Sequence, residues 1–343
     1  MVAQQFIDDG YPVSRVLKIL RLPRSSYYYS SAATAGKGRK NSTHTLTDDG
    51  ACVPNEVVIG HIQQILSGEF VDYGYVKVTH GLRQQYGYRI NKKKVYRMMK
   101  QAGLLYKRPF RVKGKRLWVS DLVPQPHGYF SYLEFDIKYI WIAGQRRNAL
   151  VLSVIDVFSR WVLGQLVSYS IRKEDVVDLF DQIFAMYPMP LRVYVRNDNG
   201  SQMESQLVQQ YFADRQIIQE FTKPATPEQN THIESYHSII ERVICNRYDF
   251  DNLTEAIDTF NRWLIFYNYE RIHSGTGYLS PYNYLLSMEI DIVKEMKQKK
   301  ALSTNPPMKD LNKNTVQYLG GWKATHTSIY LYYTSNRCYL MVY

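Results

Sequence analysis

Apolar residues along this chain follow two periods, a helical one through the first third and a strand-like one through the middle. The stretch 13–20 repeats apolar side chains at helical spacing, so residues 1–30 are predicted to form a helical, helix-turn-helix-like unit. Residues 31–53 are small and polar without periodicity, which predicts a flexible linker. A second helical domain with a basic extension is predicted over residues 54–116.

The second helical domain contains three apolar stretches at helical spacing, at 56–66, 75–87 and 91–105. Asn91 is suited to begin the third helix, because its short side chain can accept a hydrogen bond from a free backbone N–H. Three short helices with tight turns are typical of a helix-turn-helix module. We therefore predict a DNA-binding domain at this position.

The middle of the chain, residues 129–245, changes to strand-like runs. Strands are predicted over 132–143, 148–157 and 161–170, close enough in sequence to form an antiparallel meander. Helices and strands then alternate, which predicts an α/β fold with a mixed five-stranded sheet. The later elements are predicted at 173–187, 191–197, 203–215 and 217–222, with a last helix from about 231.

The end of the chain has less distinctive patterns. An amphipathic helix is predicted within 251–286, and its single apolar face indicates a packing role. Residues 287–343 are predicted to form a tail, in which a Lys-rich helix is followed by a polar stretch and a Tyr-rich stretch with strand-like alternation. No function follows from that tail.

The composition and net charge of the chain indicate what kind of partner it binds. The chain has 343 residues, a formal net charge of +12 and 45% hydrophobic residues, which is typical of a globular protein with a polyanionic partner. Three scattered cysteines indicate neither a disulfide framework nor a zinc site, so we expect a reducing, cytoplasmic environment. No run of about 18 apolar residues exists, so no membrane partner is expected.

The positive charge is concentrated in one segment. Between Arg83 and Arg116 the chain has 13 Lys or Arg residues and no Asp or Glu. A solvated helix face is the alternative, but one sign of charge over such a length favours contact with DNA phosphates. The candidate contacts in this segment are Lys92, Lys93, Lys94, Arg97, Lys100, Lys107 and Arg108.

Three acidic residues occupy positions that suit catalysis. Asp136 lies within a strand-like run, Asp198 follows another, and Glu234 lies on a helix after a gap of 35 residues. Converging carboxylates bind Mg²⁺ as hard oxygen ligands and suit two-metal phosphoryl transfer on nucleic acid. Taken singly, Asp136 is also compatible with a core carboxylate, Asp198 with a turn residue and Glu234 with a helix surface.

Several motifs together resemble a known family. They are RNDNGSQ (196–202), KPATPEQNTHIESYHSIIERV (223–243), YNYERIHSGTGYLSPYNYL (267–285) and YGYVKVTHGLRQQYGYRINKKKVYRMMKQAGL (73–104). In their order along the chain they resemble DDE transposases of the retroviral-integrase superfamily, in the OrfB branch of the insertion-sequence three family. The likeness runs from about residue 10 to 286.

The resemblance implies an RNase H-like integrase catalytic core over 125–286, with Asp136, Asp198 and Glu234 as catalytic triad and metal ligands. It implies Mg²⁺ or Mn²⁺ as cofactor, as two ions, and cleavage and strand transfer at the ends of an insertion sequence. The implied partners are the terminal inverted repeats, target DNA, further copies of the chain, and an upstream OrfA-type fusion or partner protein. The implied location is the cytoplasm, associated with the nucleoid when DNA is bound.

Some positions depart from the family pattern or are ambiguous. Lys138 stands where the family usually has Thr, so it either competes with metal near Asp136 or binds substrate phosphate. Lys223 and Asn230 are further candidate DNA contacts, although Asn230 also suits helix capping. His237 is interpreted as a surface residue, with a position facing the site as the alternative.

Two other functions fit parts of the sequence. An inactive or domesticated transposase that only binds DNA fits Lys138 and the unusual tail. A nuclease of RNase H or junction type, which cuts without joining, fits the predicted core but not the long basic N-terminal half.

Overall fold

A computed structural model describes residues 2–28, 42–106, 126–222, 227–302, 329–334 and 337–342. The N-terminal unit is helical, as predicted, and its buried residues Ala3, Val16 and Leu17 form a small cluster of their own. Its helices are α1 (Val2–Asp8), α2 (Val13–Ile19) and α3 (Arg24–Tyr27).

The predicted linker is wrong over its last part, where the chain forms a β-hairpin. Strands β1 (His44–Leu46) and β2 (Cys52–Pro54) pair antiparallel. A turn with Gly50 in the left-handed region joins them, a conformation that glycine adopts without strain. Strands of three residues are too short to show an apolar period of two, so the sequence pattern predicted no strands at this position.

The predicted helix-turn-helix region consists of three helices, α4 (Asn55–Leu66), α5 (Tyr75–Tyr86) and α6 (Lys92–Gln101). Helix α5 ends at Gly87, which is left-handed, and Asn91 caps α6 by accepting the backbone N–H of Lys93. The buried residues of this domain include Val58, Ile62, Val78, Leu82, Val95 and Met99.

The middle of the chain forms a mixed sheet, and the predicted five strands and α/β class are confirmed. Strands β3, β4 and β5 form the expected antiparallel meander, while β6 and β7 lie beyond β3 and run parallel to it. The strands are β3 (Tyr132–Ile142), β4 (Arg147–Asp156), β5 (Val162–Ser168), β6 (Tyr194–Asn197) and β7 (Ile218–Phe221).

Helices cover both faces of this sheet. On one face, Phe135 of β3 contacts the rings of Phe180 and Phe212. On the other face, Ile140 of β3 belongs to a second buried cluster, together with Tyr236. The first face is covered by α7 (Lys173–Met186) and α8 (Gln206–Asp214), and the second by α9 (Thr231–Ile240) and α10 (Leu253–Ile265).

The predicted tail contributes to the folded core, which therefore extends past the predicted boundary at residue 286. Helix α11 (Pro281–Leu286) is followed by α12 (Ile292–Leu302), whose Ile292 and Met296 are buried in the cluster beneath α7. A hairpin of β8 (Ile329–Thr334) and β9 (Arg337–Val342) pairs with β5 and extends the sheet to seven strands.

The helix-turn-helix region is attached to the core by a buried ion pair. Asp72, in the loop between α4 and α5, accepts a 2.6 Å hydrogen bond from Arg271, whose side chain is 1% exposed. Arg242 lies 3.1 Å from the other oxygen of Asp72. Tyr73 Oη accepts the backbone N–H of Ile272. The motif around residues 267–273 therefore holds the two regions together.

Candidate active site

Two of the three predicted catalytic carboxylates lie on neighbouring parallel strands. Glu134 of β3 pairs with Arg196 of β6, and the pairing advances in step along both strands. Glu134 and Arg196 are the last pair of this ladder, and the same register continued by two residues would bring Asp136 opposite Asp198, which directly follows the end of β6. The sequence prediction that these two residues lie side by side is consistent with this register.

The two carboxylates influence each other electrostatically. The pKa of Asp198 is raised, first by partial burial and then by the negative charge of Asp136. The Gly200 backbone N–H donates to Asp198 Oδ1 at 3.1 Å and opposes that shift. Like charges held together at a strand edge favour a bound cation, which neutralises their repulsion.

Glu234 lies on α9, the helix that packs against β3 and β4. It is an exposed residue of α9, one turn before His237. His237 Nδ1 lies 3.5 Å from Asp136 Oδ2, and its side chain is only 10% exposed. The interpretation of His237 as a surface residue is therefore wrong. Helical spacing could have suggested its burial, because Ile233, Tyr236 and Ile240 share its side of the helix.

The donor set of this edge matches a hard divalent cation. Carboxylate oxygens are the ligands that Mg²⁺ prefers, and Mg²⁺ commonly uses only one or two protein carboxylates. Among the described residues, no three His, Cys, Asp or Glu side chains are grouped so as to hold a metal ion. The convergence of Glu234 with Asp136 and Asp198 therefore stays a prediction.

Comparisons with known proteins agree with this architecture. Residues 126–227 and 215–281 match two family models, each described as an integrase core domain. Together the two models span residues 126–281. An HTH-like domain matches residues 55–112, ahead of the integrase core. The resemblance to insertion-sequence transposases that the motifs indicated is confirmed.

Similar curated proteins come from bacterial insertion elements. The transposase for insertion sequence element IS904 of Lactococcus lactis is 26% identical over 243 residues, covering 67% of this chain and 93% of that protein. Transposase InsD for insertion element IS2 of Escherichia coli is 27% identical over 301 residues, covering 82% and 94%. A solved structure, the HTLV-2 integrase catalytic core in complex with magnesium, is 16% identical with a TM-score of 0.37, covering 47% and 99%.

One residue of the integrase core escaped the sequence analysis altogether. Glu134, two residues before Asp136 on β3, is fully buried. Its Oε2 accepts the backbone N–H groups of His232 and Ile233, each at 2.8 Å. Its Oε1 lies 2.9 Å from His232 Nδ1. Both carboxylate oxygens therefore bind the first turn of α9. The alternation of side chains along β3 could have suggested this, because it places Glu134 on the same face as Asp136.

Lys138, the departure from the family pattern, is paired away from Asp136. Its Nζ donates to Glu241 at 2.7 Å, in the π-helical turn Glu241–Cys245 that continues α9. A carboxylate partner lowers the tendency of Lys138 to compete with metal at Asp136. Its contact with DNA stays a prediction, because Glu241 is half exposed and can exchange for a phosphate.

Other predicted DNA contacts in the integrase core differ in accessibility. Asn230 stands at the start of α9 but makes no capping hydrogen bond, and its side chain is buried with Oδ1 unpartnered among the described atoms. A DNA contact at Asn230 therefore requires this segment to open. Lys223, Lys107 and Arg108 lie outside the described residues.

In the HTH-like domain, most of the predicted contacts are exposed. Lys92, Lys93, Arg97 and Lys100 lie on the exposed side of α6, as a phosphate-binding surface requires. Lys94 differs, because its Nζ donates to Ser42 Oγ and to the His44 carbonyl and so ties the β1–β2 hairpin to α6. A groove of 940 Å³ between hairpin and helix includes Lys92, Lys93 and Arg97 in its lining.

Proposed function

We propose that this protein is a transposase that cleaves DNA at the ends of an insertion sequence and transfers the strands to a target. The observation that supports the proposal is the negative charge of Asp136, which helps to raise the pKa of Asp198 where β3 and β6 run parallel. His237, on the helix that bears Glu234, lies 3.5 Å from Asp136. The transposase relatives support the same activity.

The three carboxylates are proposed to hold two Mg²⁺ or Mn²⁺ ions. Such ions activate the attacking water or hydroxyl and offset charge on the scissile phosphate. Asp136 and Asp198 would supply ligand oxygens from β3 and from the end of β6, and Glu234 would supply one from α9. The protein itself therefore contributes positioning and negative charge, and no residue is needed as a covalent nucleophile.

DNA is the proposed partner, bound through both parts of the chain. The HTH-like domain presents the basic surface of α6, which is suited to the terminal inverted repeats. The buried Asp72–Arg271 pair holds that domain against the integrase core, so DNA bound by one is directed to the other. Joining two element ends requires at least two copies of the chain, and an OrfA-type fusion or partner is a further proposal.

No helix among the described residues has the length and apolar character needed to cross a membrane. Action on DNA in the cytoplasm, at the nucleoid, is the location we propose from the DNA-binding domains.

A cleavage assay tests the proposed function. Purified protein is incubated with the DNA that flanks its own gene, with Mg²⁺ or Mn²⁺, beside a Glu234→Gln variant. We expect a metal-dependent nick at a defined flanking position, absent in the variant, followed by joined products. Salt-sensitive binding without any nick, also after fusion to the upstream reading frame, contradicts the proposal and selects the DNA-binding remnant. Cleavage without joining selects a nuclease.

A further inference from the structure

Three alternate residues of β3 contact α9 and its continuation at three successive levels. Glu134 contacts His232 and Ile233, Asp136 contacts His237, and Lys138 contacts Glu241. Alternate strand residues are separated by about 6.7 Å and four helical residues by about 6 Å, so the two elements stay nearly in step over these contacts. We call this set of contacts the β3–α9 ladder.

The first contact of the ladder controls the start of the helix. The first backbone N–H groups of a helix have no partner within the helix and carry partial positive charge. The Glu134 carboxylate accepts two of them and also contacts the His232 ring, entirely out of solvent. Such charge-assisted hydrogen bonds are directional, so they define both the height and the rotation of α9 above β3.

A lateral contact fixes the same helix across the sheet. Tyr236 Oη accepts hydrogen bonds from Gln165 Nε2 at 2.6 Å and Trp263 Nε1 at 3.0 Å. Glu234 lies between the level of Glu134 and this lateral contact. The predicted approach of Glu234 to Asp136 therefore depends on contacts made by the neighbours of Glu234 on α9.

We propose that Glu134 is a positioning residue for the reaction, which aligns α9 so that Glu234 can complete the site of Asp136 and Asp198. Because Glu134 is only two residues from Asp136, an alternative role for Glu134 is that of a further metal ligand. The structure argues against that role, because both oxygens of Glu134 are occupied by α9 and its side chain is fully buried. The effect on catalysis rests on the proposed function, whereas the effect on the helix does not.

The test compares Glu134→Gln with the wild-type protein in three measurements. We expect single-turnover cleavage of flanking DNA to fall about 10- to 100-fold, the range seen when residues that orient metal ligands are altered. DNA affinity is expected to stay within about twofold, because Glu134 does not reach the surface. Amide hydrogen exchange is expected to rise in residues 231–240 and to stay unchanged elsewhere in the sheet.

Asp181→Asn is the matched control, since it makes the same kind of charge change on α7, at the opposite face of the sheet. Asp181 accepts from Tyr211 at 2.7 Å and from Arg215 at 2.9 Å, away from the ladder. Its cleavage rate and its exchange in residues 231–240 are expected to match the wild type.

The proposal is overturned if Glu134→Gln cleaves DNA at the wild-type rate. It is also overturned if amide hydrogen exchange rises throughout the sheet in this variant. If Glu134→Gln does not fold, His232→Ala decides, because it removes the ring contact but keeps both backbone N–H donors. A roughly two- to tenfold loss of cleavage rate, together with faster amide hydrogen exchange confined to about residues 231–240, supports the proposal. An unchanged cleavage rate overturns it. If the wild-type protein cuts no DNA, the proposed function fails, and exchange in residues 231–240 still judges the role of Glu134.

Discussion

The two faces of β3 differ in chemistry over the same six residues. Leu133, Phe135 and Ile137 point toward α7 and α8 and pack in a wholly apolar cluster. The alternating residues Glu134, Asp136 and Lys138 point toward α9 and form the β3–α9 ladder. One strand therefore packs through apolar side chains on one face and makes charged contacts with α9 and its continuation on the other, because successive side chains alternate between faces.

This difference shows how a carboxylate such as that of Asp136 can be held on a packed strand without being surrounded by apolar groups. The aromatic packing of Phe135 fixes the strand itself, since a close-packed cluster resists displacement. The opposite face is then free to carry charges, each of which has a partner on α9. We expect substitutions on the two faces to have separable effects on stability and on cleavage.

The largest expected effect is on activity alone. Asp136→Asn should lower metal-dependent cleavage about 1,000-fold, because it removes charge where the transition state needs metal-mediated compensation. Stability in the absence of metal should not fall, since the like-charge interaction with Asp198 is also removed. Cleavage kinetics and thermal unfolding of the same preparation check both parts. An active Asp136→Asn protein would exclude this residue from the site.

The largest effect on stability is expected one residue away. Phe135→Ala should lower the free energy of unfolding by about 3–5 kcal/mol, because it leaves a cavity against Phe180 and Phe212. The matched control is Tyr139→Ala on the same strand, at a side chain that is largely exposed, with an expected change within about 0.5 kcal/mol. Denaturant unfolding measures both, and equal losses would contradict the assignment of the faces.

An intermediate effect is expected where α9 is held laterally. Tyr236→Phe removes the hydroxyl that accepts from Gln165 and Trp263, which leaves the buried Trp263 Nε1–H unpaired, while Gln165 Nε2 keeps Ser153 Oγ as its acceptor. The free energy of unfolding should fall by about 1–3 kcal/mol, the range for an unsatisfied buried polar group. Cleavage at saturating metal should fall much less than in Glu134→Gln. The opposite ranking in cleavage would transfer the positioning role from Glu134 to Tyr236.

The smallest effect concerns pH and metal. The raised pKa of Asp198 means that the folded state favours the protonated carboxyl over the charged carboxylate. Protonation of Asp198 therefore contributes to the free energy of unfolding below its ordinary pKa of 3.8, and this contribution is lost as pH rises through the pKa of the folded state. Asp198→Asn should therefore raise metal-free stability at neutral pH by a few tenths of a kcal/mol, reduced by solvent screening, and have no effect at low pH.

Added Mg²⁺ or Mn²⁺ should make the wild-type protein more stable than Asp198→Asn, the reverse of the order expected without metal. A metal that binds only the folded state stabilises it, and the wild type keeps the carboxylate that the variant lacks. Thermal unfolding with and without metal makes the comparison. Equal stabilisation of both proteins would show that Asp198 does not bind the ion.

The elements of the fold could be predicted from local patterns. The five core strands and the helices between them follow from apolar periodicity, and the observed bounds differ from the predictions by a few residues. The hairpin at residues 44–54 could not be predicted in this way, because its stability comes from contacts with Asn55 and Lys94 rather than from its own pattern.

The sequence by itself determined the order of the five core strands and the helices between them, the basic segment, and the identity and spacing of Asp136, Asp198 and Glu234, because these depend on residue type and linear position. Only the tertiary structure decided that Glu134 caps α9, that His237 is buried beside Asp136, and that Lys138 and Lys94 have partners of their own. Those contacts depend on strand register and on the rotation of a helix packed across it. Both are set by the summed packing of residues far apart in the chain.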